Sequence, residues 1–128
     1  MNFVDKDVVL SIHDFQLGAH GGSAGVRDAG LLESALARPK NKHAYGEEDA
    51  FSLAASYAFG IARNHPFMDG NKRTALHTAL LFLRLNGIET PVPSIEMVER
   101  MVELAEGKLE EAAFAAWLAA QPPRILKR

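Results

Sequence analysis

The stretch Thr74–Gly87, TALHTALLFLRLNG, constrains the fold more than any other part of the chain. Over its middle it is apolar on most sides, so as a helix it has no broad face to offer water. Such a helix belongs at the centre of a bundle, with other helices packed around it. It runs from about Asn71 to Asn86, and Gly87 is placed to end it. A chain built this way must also supply amphipathic neighbours.

The neighbours are legible as helical periodicities. Phe3 to Leu17 carries Val4, Val8, Ile12 and Phe15 at a spacing close to 3.6 residues. A glycine-rich stretch, LGAHGGSAGVRDAG, follows from Leu17 to Gly30. Asp28 then caps a short helix with Leu31, Leu32, Ala35 and Leu36 inward, which Arg38-Pro39 ends. A long helix from about Glu47 to Arg63 has Phe51, Ala54, Ala55, Ala58, Ile61 and Ala62 as its stripe. Beyond the central helix Pro91 and Pro93 break the chain, and Ser94 caps a fifth helix with Ile95, Val98, Val102 and Ala105 inward. A last helix carries Leu109, Phe114, Trp117 and Leu118 and is stopped by Pro122-Pro123. No run alternates as a strand would, and no internal repeat is visible. The expectation is an all-α single-domain bundle of about six helices, spanning 1–128, with a central buried helix.

Composition limits the partners more than the fold. With 128 residues, 48% apolar and 23% charged, the chain is long enough for one real core. A formal charge of −2 gives no global basic field, so direct nucleic-acid binding is not expected. Arg124, Lys127 and Arg128 read as solvated terminal charges. The absence of cysteine excludes disulfides and thiolate metal sites and is consistent with a reducing compartment. The sequence MNFVDKDVVL has no secretory pattern, and the longest apolar stretch, Thr78 to Leu83, is far too short for a membrane span. A cytoplasmic location is expected, with no membrane partner.

The chemistry concentrates just before the central helix, in His65–Arg73, HPFMDGNKR. Helix N-termini favour acids, yet Lys72 and Arg73 sit in this first turn. Free amides and the helix dipole make the position an anion site, and Gly70 leaves room for a ligand near the backbone. Arg73 suits bidentate phosphate contacts. Asp69, beside phosphates, is best explained as a Mg²⁺ ligand. His65 supplies an imidazole suited to general-base work, and Phe67 is a core anchor. Together these residues suggest transfer of a phosphate-containing group from a nucleotide.

HPFMDGNKR resembles the active-site motif of the Fic family, His-x-Phe-x-Asp/Glu-Gly-Asn-Gly/Lys-Arg. Lys72 and the helix that follows are similar to the Doc (death on curing) branch, the toxins of toxin–antitoxin pairs. His13-Asp14, GGSAGVRDAGLLESAL and ARNH add to the likeness, which covers most of the chain. The resemblance implies a Fic-like fold, ATP and Mg²⁺ as cofactors, and His65 as the base that deprotonates a target hydroxyl. It makes Asp69 the Mg²⁺ ligand and gives the phosphates to Gly70, Asn71, Lys72 and Arg73, with Phe67 packing the loop. In the wider family AMP is transferred from ATP to a protein side chain. The Doc branch instead implies phosphorylation of elongation factor Tu and arrest of translation. A second glycine in the motif would leave space for a phosphate beside the backbone. Lys72 fills that space with a point charge, which favours a reversed nucleotide with its γ-phosphate at His65.

Several readings stay open at this level. The glycine-rich segment is either a flexible connection or the family's target-aligning flap, with Gly21 and Gly22 in it and Arg27 as its polar anchor. His77 either faces the nucleotide or is a satisfied buried histidine. His13-Asp14 with His20, His43 and His77 raises a metal-dependent phosphohydrolase, but no second ligand pair occurs at helical spacing. A catalytically silent Fic module that only binds its antitoxin is a third class. No Ser or Thr has Glu four residues later followed by Gly or Asn, the pattern of self-inhibited Fic proteins. Inhibition is therefore expected from a separate Phd-like antitoxin whose tail covers the groove near His65.

Overall fold

The structure is a computed structural model that describes residues 1–90, 93–121 and 124–125. Among them six helices form: α1 (Lys6–His20), α2 (Ala29–Ala44), α3 (Ala50–Asn64), α4 (Asn71–Leu85), α5 (Ile95–Ala105) and α6 (Glu111–Ala120). Two short strands, β1 (Ile88–Glu89) and β2 (Arg124–Ile125), pair antiparallel, Ile88 with Ile125 and Glu89 with Arg124. Two-residue strands are too brief to leave an alternating pattern in the sequence. Pro91, Pro122, Pro123, Lys127 and Arg128 lie outside the described residues.

Side-chain caps fix three of the helix starts. Asp28, Asp49 and Ser94 accept from the amides of Leu31, Phe51 and Met97. Helices α3 and α4 form the core of the molecule. Leu53, Ala54, Tyr57, Ala58 and Ile61 of α3 and Ala75, Ala79, Phe82 and Leu83 of α4 are almost wholly buried. α4 is thus the central helix expected from its composition. The residue that caps its C-terminus, Asn86, is held by three hydrogen bonds: Nδ2 donates to the Phe82 and Asn2 carbonyls, and Oδ1 accepts from the Asn2 amide, each at 2.8 Å.

Three details depart from the periodicity. On α1 the buried positions are Val9, His13 and Gln16, while Val8 and Phe15 are exposed. On α5 they are Met97, Met101 and Leu104, with Ile95 and Val98 exposed. Both stripes are turned about one residue, 100°, from the expected one. Helix α2 also runs through Pro39 to Ala44 instead of stopping there. Proline removes the donor to the Ala35 carbonyl, and α3 meets this spot with Gly60. A Cβ on Gly60 would lie 3.1 Å from the Ala35 carbonyl oxygen and from its Cα. The bare glycine lets the two helices approach where the proline interrupts α2.

Candidate active site

Residues 65–70 link α3 to α4, and both helix ends are conformationally unusual. His65 closes α3 in the left-handed region at φ 50, ψ 54, the one non-glycine with positive φ among the described residues. That conformation costs a side-chain-bearing residue about 1–2 kcal/mol, so its surroundings must hold it. The glycine-rich segment does so. Arg27 Nε donates to the His65 carbonyl at 2.7 Å and Nη2 to the Asn64 carbonyl at 2.9 Å. A cation here also complements the negative end of the helix dipole. The Arg27 and Asp28 amides donate to the Pro66 carbonyl, the Met68 amide donates to the Gly25 carbonyl, and Val26 bridges Phe67 antiparallel. The segment is stitched by its main chain to the motif loop.

Asn71 closes the loop from inside. Its Oδ1 accepts from the Phe67 amide at 2.9 Å and its Nδ2 donates to the Phe67 carbonyl at 3.0 Å. This buried side chain is therefore occupied within the loop and is not free to meet a ligand. The same Nδ2 lies 3.4 Å from His65 Nδ1, a long contact in which the amide nitrogen can only donate and the ring nitrogen accepts. Phe67 is buried beneath the loop.

At the start of α4, Gly70 (φ 79) occupies the cap position and has no side chain to satisfy the first amides; no acid follows in the first turn. Lys72 and Arg73, in this first turn, are both exposed. A cavity of about 460 Å³ opens here. Its polar side is His65, Asp69, Gly70, Asn71, Lys72 and Arg73, and its apolar side is Met68, Leu76, Val98, Met101 and Val102. Six residues singled out from the sequence therefore line one cavity. The α5 wall was not foreseen: its residues are far along the chain and carry only ordinary hydrophobic signals. That wall explains the exposure of Val98, which faces the opening and not the core.

Asp69 is exposed at the cavity, with Oδ2 accepting from the Ser23 amide at 2.7 Å. Among the described residues no three His, Cys, Asp or Glu side chains gather as a metal-holding group. One carboxylate fits Mg²⁺ that takes its remaining ligands from nucleotide phosphates and water. Gly22 packs against this residue: a Cβ there would come within 3.1 Å of Asp69 Cβ. Gly21 ends α1, its amide donating to the Leu17 carbonyl. His77 does not line the cavity; it is half-buried, and burial, then the nearby His20, lowers its pKa.

The arrangement is an uncapped helix start with two cations beside an apolar wall, with an imidazole at its rim. Comparison with known proteins agrees in kind. The Fic/DOC family model matches residues 3–83, from the first helix through most of α4. Protein kinase doc of Escherichia phage P1 is 36% identical over 116 residues, covering 90% of this chain and 91% of the phage protein. Toxin Doc of Mycolicibacterium smegmatis is 42% identical over 91 residues, 68% of this chain and 66% of that protein. The chain belongs to the Fic/DOC family.

Proposed function

We propose that the protein is the toxin of a toxin–antitoxin pair and transfers the γ-phosphoryl group of ATP to a hydroxyl of a translation factor, elongation factor Tu. The observation that carries this reading is Lys72 in the first turn of an uncapped α4, lining the same cavity as His65. The names of the two relatives, a protein kinase and a toxin, agree with it.

The amides at the start of α4, with Lys72 and Arg73, bind the phosphates and offset the charge that builds on them in the transition state. Met68, Leu76, Val98, Met101 and Val102 provide an apolar surface suited to a purine. The His65 imidazole accepts the hydroxyl proton as the oxygen attacks the γ-phosphorus. The bond from that phosphorus to the β,γ-bridging oxygen breaks, and ADP leaves. Mg²⁺, held by Asp69 and the phosphates, would neutralise charge on the phosphate oxygens. Most of the rate enhancement then comes from positioning and charge. The site works in the cytoplasm, and a separate Phd-like antitoxin restrains it by covering the groove.

Purified protein incubated with elongation factor Tu and γ-labelled ATP should label the target, whereas α-labelled ATP should not. Replacing His65→Ala should reduce labelling by about 10²–10⁴-fold, the usual contribution of a general base, and should end growth arrest at matched expression. Labelling from α-labelled ATP by the unmodified protein would overturn the kinase reading and put AMP transfer in its place.

A further inference from the structure

Three residues of the motif loop meet one side chain from α1. His13 is 3% exposed, and its ring stacks on Phe67 with centroids 3.8 Å apart and planes 11° from parallel. Its Nε2 lies 2.8 Å from the Asp69 carbonyl oxygen. A carbonyl can only accept, so Nε2 carries the hydrogen and donates. Gly70 sits beyond: a Cβ there would be 3.6 Å from His13 Cδ2.

Asp69 needs such support. It is exposed and lies between Met68, 53% exposed, and a left-handed glycine. Its carboxylate has a second tether, the Ser23 amide, but Ser23 belongs to a wholly exposed glycine-rich stretch. The tether that comes from a buried helix face is His13.

We propose that His13 is a positioning residue for Asp69. By stacking on Phe67 and holding the Asp69 carbonyl, it fixes the peptide from which the carboxylate projects toward Mg²⁺. This rests on the reading of Asp69 as the Mg²⁺ carboxylate. The two contacts separate by substitution. His13→Phe keeps a ring for the stack and removes the donor. His13→Gln keeps an N–H at similar reach and removes the stack.

The test titrates Mg²⁺ into full-length protein holding a fixed amount of a fluorescent, non-hydrolysable ATP analogue, with thermal unfolding followed on the same samples. His13→Phe should raise the half-saturating Mg²⁺ concentration by about tenfold, as loss of outer-shell support for a metal ligand typically does. Its metal-free analogue binding should stay near the parent's, and its unfolding temperature should fall only by the few degrees that one lost hydrogen bond costs. His13→Gln should unfold at lower temperature yet keep the parental Mg²⁺ dependence. A His13→Phe protein that titrates like the parent, or a His13→Gln protein shifted tenfold, overturns the proposal; the second criterion holds even if His13→Phe does not fold. Asp69→Asn checks the reading beneath. If it too titrates like the parent, the Mg²⁺ role of Asp69 falls and His13's with it. If Asp69→Asn shifts and His13→Phe does not, His13 alone is removed.

Discussion

Arg27 donates to the last carbonyls of α3 and bears on His65 without lining the cavity. Substituting Arg27→Ala leaves the main-chain ties from Gly25, Arg27 and Asp28 to the loop in place. The fold should therefore persist with a loss of about 1 kcal/mol. His65 should lose its fixed position, and kcat should fall by about tenfold or more, with ATP affinity unchanged. Added guanidinium should restore part of the rate, because the site is exposed. A rise in KM for the target protein with kcat intact would instead make Arg27 a target contact, as a flap anchor would be. The motif residues were legible because they are consecutive and break the rule for a helix start. The partners that hold them were not, since Arg27 and His13 reach the loop across 38 and 56 residues of chain. Nothing local in the sequence marks such a pair.

Helices were legible because each repeats its apolar residues at the helical period, and α4 because that period is nearly drowned in hydrophobes. Facing direction was harder. On α1 Val8 and Phe15 point outward, while His13 and Gln16 are buried with Val9. Hydrophobicity ranks side chains by cost of exposure and is blind to a polar group that finds its partner inside. Pro39 misled for a related reason: its effect depends on what packs against the freed carbonyl. That neighbour is Gly60, so Gly60→Ala should force α2 and α3 apart. A cost of about 1–3 kcal/mol is expected, seen as a lower denaturation midpoint with unchanged slope. A parental midpoint would mean the helices yield freely there.

Across the whole molecule, distant parts of the chain converge where α4 ends. Asn2 exchanges hydrogen bonds with Asn86 across 84 residues, and β1 just beyond pairs with β2. Among the described residues no helix is long and apolar enough to cross a membrane. The Asn86 contacts also govern how the protein ages. Asn86 precedes Gly87, a pairing in which the glycine amide readily attacks the asparagine side chain and releases ammonia through a cyclic imide. Attack requires the side chain to swing free, and here the three bonds from Asn2 and Phe82 restrain it. Asn2→Gly keeps the main-chain amide and carbonyl that reach Asn86 but removes the side-chain bond to the Leu85 carbonyl, so the clasp should loosen. On storage at mildly alkaline pH, mass spectrometry should then find residue 86 turning to the acid faster in that variant than in the parent. Equal rates would mean the clasp gives no chemical protection, and the first turn of chain would guard only the shape of the molecule and not its lifetime.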